Sequence, residues 1–348
     1  RMFMAYACLQ IALSIILPFP NGPFNRPHPL VWRLILALGV IYLTLLLVWC
    51  FVSVQDARIM LKHLFSASEE FVRNREKAYA EDCSLRWSNI MEKVNDVFFF
   101  AHFFGWFVKA LMLRDLTILW IGSILWEFIE VSLIWLLPNF EECWWDSLLL
   151  DILICNGLGI FFGLKLGEYL EMKEYKWIGI GKIKSLGGKL RRVALQFSPH
   201  SWIKVEWKPT ASVSRYFSVV ILILLLQLNE LNCFLLKDLL GIPSEHPIVT
   251  YRLIFWVLLG MPALRQYYIY IEEPSCERLG SHAWMALAVL SVETLVSIRW
   301  GREIFQSLAV PASVVKQWGI LLAIFCMFTI VVLRRKKEQK SARHEKAT

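Results

Sequence analysis

Charged residues are scarce in this sequence of 348 residues: they make up 19% of it, whereas hydrophobic residues make up 57%. Soluble domains are about one quarter charged and less apolar, and the mean hydropathy here is +0.50. An ordinary soluble fold is therefore excluded, and the composition indicates an integral membrane protein.

Several motifs that would assign a function are also missing. The eight cysteines form no Cys-x-x-Cys pair and no Cys/His spacing suited to zinc. No Asp-Gly dipeptide occurs, which disfavours the CDP-alcohol phosphotransferases, because their signature begins with that pair. The glycines at 157, 159 and 163 superficially resemble a dinucleotide loop, but they lie inside an apolar run and so predict close helix packing.

Positive charge, at a net +8, is concentrated in two segments, Lys165–Arg215 and Arg334–Lys337. In so apolar a chain, the positive-inside rule and anionic lipid headgroups explain these segments better than nucleic acid does. The expected partners are therefore membrane lipids and not nucleic acid.

The apolar runs predict an all-α, polytopic membrane protein with about nine to ten transmembrane helices and a polar site inside the membrane. Nine candidate spans lie at about 2–18, 30–53, 97–113, 116–137, 148–166, 217–236, 248–264, 283–299 and 312–333. One transmembrane catalytic domain is expected over 1–333, followed by a basic cytosolic tail at 334–348. The charged link between the second and third spans predicts a surface helix.

Counting spans back from a cytosolic tail predicts the orientation of the links. The basic link 167–216 falls on the cytosolic side, in agreement with the positive-inside rule. The acidic link Pro138–Ser147 then falls on the lumenal or exterior side.

Carboxylates and amides concentrate in and beside the third to fifth spans. Such groups are costly at membrane depth unless they are paired, hydrated or bound to a cation, and Glu127 and Glu130 share one helix face. The candidate site set is His102, Glu127, Glu130, Asn139, Glu142, Asp146, Asp151 and Asn156. An oxygen-rich set favours a hard cation, Ca²⁺ first and Mg²⁺ or Mn²⁺ next. A lone imidazole among carboxylates suits a general base.

Plainer interpretations exist for single residues. Glu130 and His102 each suit a structural role, Trp144 and Trp145 suit interfacial anchors, and Lys109 suits a side chain that extends to the interface. The bunching of polar residues within about 55 positions favours a site. Besides an enzyme, two function classes stay open. One is a cation transporter, which is supported by acidic residues on other spans, Glu230 and Glu293. The other is a non-catalytic lipid-binding protein.

Longer motifs resemble a known family along nearly the whole chain. They include NGPFNRPHP at 21–29, HFFGW at 102–106, PNFEECWWD at 138–146 and DILICNG at 151–157. QFSP at 196–199, ELNCFLLK at 230–237 and RQYY at 265–268 continue the match. In these motifs the chain resembles the eukaryotic base-exchange phosphatidylserine synthases, and QDAR at 55–58 and EWKP at 206–209 are closer to the plant-like or ethanolamine-exchanging branch.

The resemblance implies a multi-pass endoplasmic reticulum enzyme that swaps the ethanolamine or choline headgroup of a phospholipid for L-serine. It implies Ca²⁺ as cofactor, no nucleotide, and active-site positions at the eight residues of the candidate set. It allows a homodimer. Within this framework we expect Glu127, Glu130, Glu142 and Asp146 to bind the metal, and His102 to take the proton of the serine hydroxyl. Asp151 and Asn156 are expected to orient His102 or to bind an amino group.

Overall fold

A computed structural model describes residues 18–65, 80, 82–171, 179–196, 205–244 and 246–345. In these ranges the regular structure is helical throughout, and the short links between the helices carry proline, glycine and capping side chains. The α-helices are α1 Pro29–Trp49, α2 Val54–Phe65, α3 Trp87–Val94, α4 Val97–Leu113, α5 Leu116–Leu133, α6 Gly157–Glu171, α7 Leu186–Gln196, α8 Val213–Leu240, α9 Pro247–Glu272, α10 Ser281–Ser307 and α11 Ala312–Glu345. A π-helix at Asp146–Asn156 runs directly into α6.

The described residues contain seven helices long and apolar enough to cross a membrane, or eight if α3 and α4 together form one bent span. The all-helical, multi-pass architecture is therefore confirmed. The predicted count of nine to ten spans is not, because the run at 2–18 falls almost entirely outside the described residues and 97–113 forms only part of the bent pair. The π-helix and α6 together make one span, Asp146–Glu171.

Helices α4 and α6 pack in close contact, and glycine makes this possible. A Cβ atom added at Gly159 would lie 2.5 Å from the carbonyl oxygen of Phe103, and one added at Gly163 would lie 2.5 Å from that of Phe107. Small residues at such positions let two helix backbones approach each other in a membrane. The close packing predicted from these glycines is confirmed, and it fixes α4 beside the span that carries Asp151.

Polar side-chain contacts also join the helices to one another. Arg252 of α9 donates to Glu293 of α10 at 2.7 Å, and the hydroxyl of Tyr42 on α1 donates to the same carboxylate at 2.5 Å. Glu230 of α8 pairs with Lys109 of α4 at 2.5 Å. Glu230 and Glu293, the acidic residues that supported the transporter interpretation, are thus each paired with a cationic side chain. Lys109 pairs within the helix bundle instead of extending to the interface.

A disulfide joins the link after α2 to the acidic link after α5. Cys83 and Cys143, separated by 60 positions, lie with their Cα atoms 5.2 Å apart. The indole of Trp145, which is 1% exposed, donates to the carbonyl oxygen of Cys83 at 3.1 Å. Trp145 is therefore a core residue and its expected anchor role is wrong, whereas Trp144 is 59% exposed. The link predicted to form a surface helix contains two helices, α2 and α3. Residues 66–79 between them lie outside the described part of the chain.

Candidate active site

The π-helix aligns the polar residues of its span. Asp146, Asp151 and Asn156 are five positions apart, and on an α-helix each step of five would turn the side chain by about 140°. A π-helix is closed by i→i+5 hydrogen bonds, which bring residues five apart close to one face on successive turns. Its buried residues follow that period, at Asp146, Leu150, Asp151, Cys155 and Asn156. The polar stripe therefore faces the bundle interior.

Three carboxylates from different segments converge at this stripe, and one of them belongs to it. Glu127 of α5, Glu142 of the acidic link and Asp151 of the π-helix each offer one oxygen, and these oxygens all lie within 4.8 Å of one another. Asn156 hydrogen-bonds to one member of the group: its Nδ2 donates to Glu127 Oε1 at 3.4 Å and to Ser123 Oγ at 2.9 Å.

The electrostatics of this group are unfavourable without a cation. Burial and the neighbouring carboxylate of Asp151 raise the pKa of Glu142 to about 8, although Ser147 donates a hydrogen bond to it at 3.0 Å. A carboxyl group that is buried among other carboxyl groups resists ionisation. A bound cation would remove that repulsion, and hard cations prefer oxygen ligands of this kind.

The other predicted metal ligands lie beside the group of three. Glu130 is buried, accepts from the indole of Trp126 at 2.9 Å, and leaves its Oε2 without a hydrogen-bond partner. Asp146 lies 3.9 Å from the Nζ of Lys93. In the described residues, the converging set thus contains two of the four expected metal ligands, Glu127 and Glu142, together with Asp151, for which we had expected another role.

His102 of α4 faces the same stripe. Its Nδ1 lies 3.9 Å from Oδ1 of Asp151, which is longer than a hydrogen bond. Catalytic contacts are often long in the absence of substrate and shorten when it binds. The glycine-mediated packing of α4 on α6 therefore positions the imidazole of His102 next to the carboxylates.

These side chains line a cleft whose lining includes six of the eight predicted residues: His102, Glu130, Asn139, Glu142, Asp146 and Asp151. Asn139 enters from the short 3₁₀ turn Pro138–Phe140. Glu127 and Asn156 lie behind the lining, in contact with each other. Phe98, Phe99, Phe140 and Phe234 supply its apolar wall. A polar floor with an aromatic wall suits a polar headgroup attached to acyl chains.

Sequence reasoning missed two features of the site. Lys93 lines the cleft, but it lies in a charged link that gave no reason to single it out. The disulfide had a usable signal: Cys83, Cys143 and Cys276 are the cysteines outside the apolar runs, and the predicted orientation puts only the first two on the same side. Paired thiols on one side of a membrane would have been the natural prediction.

The family model described as "Phosphatidyl serine synthase" matches residues 27–301, which include every residue of the candidate site. The chain belongs to the phosphatidyl serine synthase family.

Named members of the phosphatidyl serine synthase family match over most of the chain. A phosphatidylserine synthase of Drosophila melanogaster is 41% identical over 293 residues, covering 84% of this chain and 59% of the relative. Phosphatidylserine synthase 2 of Homo sapiens is 40% identical, covering 87% and 64%. A protein of Oryza sativa subsp. japonica named CDP-diacylglycerol--serine O-phosphatidyltransferase 2 is 37% identical, covering 93% and 77%. The chain thus spans about three fifths of the length of the first two relatives.

Proposed function

We propose that this chain catalyses calcium-dependent base exchange, in which L-serine replaces the ethanolamine or choline headgroup of a membrane phospholipid to give phosphatidylserine. The observation that carries the proposal is the convergence of Glu127, Glu142 and Asp151 within 4.8 Å, beside a histidine and at the base of a cleft with an aromatic wall. Family membership supplies the substrate class.

The residues present fit a divalent cation. Three carboxylate oxygens converge, and two further buried oxygens, Oε2 of Glu130 and Oδ1 of Asn156, have no hydrogen-bond partner. An all-oxygen set of this kind matches Ca²⁺ better than zinc or copper. We propose Glu127, Glu142 and Asp151 as the ligands, with Glu130 and Asp146 as adjacent carboxylates. A bound ion would supply electrostatic stabilisation of the anionic phosphodiester.

His102 is the proposed proton-transfer residue. As the serine hydroxyl attacks phosphorus, the imidazole takes the hydroxyl proton, and it returns that proton to the oxygen of the departing amino alcohol as the old P–O bond breaks. Asp151, 3.9 Å from Nδ1, orients the ring and stabilises its charged form. No proton is gained or lost over the complete exchange.

The charge of the cleft favours an amino alcohol over a nucleotide as the leaving group. The name of the rice relative points to CDP-diacylglycerol as a phosphatidyl donor, and that reaction would release an anionic nucleotide. The cleft is lined by the carboxylates of Asp96, Glu130, Glu142, Asp146 and Asp151. Such a surface attracts the ammonium group of ethanolamine or choline and repels a nucleotide. Base exchange is therefore our first candidate, and CDP-diacylglycerol chemistry is the alternative.

We further propose that the site opens on the lumenal side of the endoplasmic reticulum membrane. Disulfides persist in oxidising compartments such as that lumen, and Cys83–Cys143 lies in the two links beside the site. The predicted orientation of Pro138–Ser147 agrees with this assignment. A homodimer stays a prediction.

Labelled serine distinguishes the candidate functions. The protein, purified and placed in phosphatidylethanolamine vesicles without nucleotide, is expected to form labelled phosphatidylserine and to release one ethanolamine per product. Calcium chelation should abolish the activity, and His102→Ala should reduce it by about 10²- to 10⁴-fold, whereas His63→Ala on the exposed end of α2 should not. Incorporation that requires added CDP-diacylglycerol would refute base exchange, and activity that survives chelation would refute the calcium proposal.

A further inference from the structure

Helix α7, which lies in the long link between the spans that contain α6 and α8, exposes apolar side chains although it cannot cross a membrane. It has 11 residues, whereas a spanning helix needs about 20. Leu186 is 74% exposed, Leu190 63% and Val193 46%. Exposed apolar side chains on a spanning helix face lipid, and those of α7 need an explanation of their own.

The three exposed apolar residues of α7 form one stripe. Successive residues of an α-helix are turned by about 100°, so Leu186, Leu190 and Val193 lie within an arc of about 60°. Their spacing of four and then three marks one face of an amphipathic helix. Because all three side chains are exposed, the helix bundle does not cover this face.

The remainder of α7 and the turn before it are basic. Residues 179–196 contain five lysines or arginines and no acidic residue. Lys182, Lys184 and Arg191 are exposed, and Lys189, at one edge of the apolar stripe, is partly exposed. An apolar stripe combined with basic residues is typical of a helix that lies in the plane of a membrane surface. The long side chains of lysine and arginine reach the headgroups from such a position.

Both ends of the link that carries α7 meet the same face of the helix bundle. Before α7, Glu171 at the end of α6 pairs with Arg114, directly after α4, at 3.4 Å. After α7, the indole of Trp207 donates to the carbonyl oxygen of Leu113, the last residue of α4, at 2.8 Å. The chain thus leaves α6 and returns toward α8 beside the end of α4, so the link begins and ends at one surface of the membrane.

Helix α7 also has a reason to need a supporting surface. It contains two adjacent glycines, Gly187 and Gly188, and glycine lowers helix stability. Isolated helices of this length are marginal in water. A surface that takes up the apolar stripe would stabilise the helical form, and the basic residues require that this surface be anionic.

We propose that α7 docks on the membrane in which the protein is embedded, and that its partner is the layer of anionic lipid headgroups. Leu186, Leu190 and Val193 enter the boundary between headgroups and acyl chains, while Lys189 and Arg191 contact the anionic headgroups. The cytoplasmic leaflet has a negative surface potential that attracts basic segments, and the orientation predicted for this link places it on that side. This inference does not depend on the reaction that the protein catalyses.

Hydrogen exchange of the wild-type protein tests the docking without a variant. The protein is placed in nanodiscs of phosphatidylcholine alone or of phosphatidylcholine mixed with phosphatidylglycerol, and amide exchange is followed by mass spectrometry. We expect the amides of α7 to exchange about tenfold more slowly or less in the mixed nanodiscs, and high salt to reverse this difference because it screens exposed charges. Exchange in the buried part of α10 should be the same in both, which reports that the bundle is folded.

Three variants separate the apolar and the electrostatic contributions. Leu190→Gln should lose the protection of α7 in both kinds of nanodisc, because it interrupts the stripe. The double variant Lys189→Gln/Arg191→Gln should lose the effect of phosphatidylglycerol. Gly187→Gln is the matched control, since it adds the same side chain outside the stripe, at a position where a Cβ atom meets nothing within 4 Å, and it should keep that effect.

Two results would overturn the proposal. The first is equal exchange of α7 in the two nanodiscs, or a difference that salt does not reverse. The second is protection that depends on protein concentration in neutral detergent and not on lipid, which would assign the apolar stripe to a second copy of the chain.

Discussion

Asp151 contacts both chemical parts of the candidate site. One of its oxygens belongs to the converging group with Glu127 and Glu142, and Oδ1 lies 3.9 Å from His102. A single carboxylate thus connects the proposed cation to the proposed base. Its neighbours Asp146 and Glu130 contact the group less directly, so their replacement should affect the reaction less.

Asp151→Asn keeps the size of the side chain and removes its charge. We expect exchange activity to fall by about 10²- to 10³-fold, in the range seen when one electrostatic partner of a transition state is lost, and the calcium concentration for half-activity to rise. A calcium titration of labelled serine incorporation measures both. Glu168→Gln, at an exposed position of α6, serves as control; an Asp151→Asn enzyme with wild-type calcium response would remove Asp151 from the ligand set.

The pair of Arg252 and Glu293, which does not line the cleft, illustrates how a buried charge is accommodated. Glu293 is fully buried and accepts from Arg252, Tyr42 and the indole of Trp256. Removing one partner of a buried ion pair leaves an uncompensated charge, whereas replacing both with apolar residues is often tolerated.

Arg252→Met is therefore expected to lower the free energy of unfolding by about 3–5 kcal/mol, while the double variant Arg252→Met/Glu293→Leu should recover most of the loss. Thermal unfolding in detergent provides the comparison. Lys165→Met breaks an exposed pair with Glu168 and should change stability by less than about 1 kcal/mol. A double variant no more stable than Arg252→Met would show that the pair is not an isolated charge contact.

Helix α4 depends on α6 for its position, and the site depends on α4 for His102. The contact between the two helices requires glycine at two positions, because added Cβ atoms at Gly159 and Gly163 would meet backbone atoms at 2.5 Å. Backbone cannot move aside as a flexible side chain can. Any larger residue must therefore push α4 and His102 away from the π-helix.

Gly163→Ala should consequently reduce stability by about 1–3 kcal/mol and reduce exchange activity more than binding of phospholipid. The matched control is Gly167→Ala on the same helix, since an added Cβ there meets nothing within 4 Å. Unfolding temperature and labelled serine incorporation are measured together. Equal behaviour of the two variants would contradict close packing as the reason for the glycine.

The predicted orientation of the whole protein across the membrane can be tested with one natural cysteine. Cys276 lies in the short link between α9 and α10, which the predicted orientation puts on the cytosolic side, and it is free and partly exposed. The disulfide Cys83–Cys143 lies in links assigned to the opposite side.

A membrane-impermeant maleimide added to sealed endoplasmic reticulum vesicles should therefore label the protein at Cys276 without detergent, because the cytosolic face is outermost. Labelling is followed by mass shift, and Cys276→Ser supplies the control that loses it. Labelling of Cys276 only after the vesicles are opened would reverse the orientation and place the candidate site on the cytosolic side.

The sequence by itself determined the membrane class, most of the spans and the identity of the polar residues. Long apolar runs leave few options in lipid, since each backbone group must be satisfied within its own segment, and intramembrane carboxylates stand out because they are costly there. The glycine pattern also predicted a helix contact that the structure contains. The run at 2–18 stays a prediction, because it lies almost entirely outside the described residues.

Only the tertiary structure decided which carboxylates meet. The spacing of five among Asp146, Asp151 and Asn156 scatters them around an α-helix, and a π-helix gathers them on one face; that choice is made by packing, not by local pattern. The place of Asp151 among the converging carboxylates and the position of Lys93 over the cleft follow from contacts between segments far apart in the chain. A one-dimensional pattern contains no distances across such contacts, and the chemistry of this site depends on those distances.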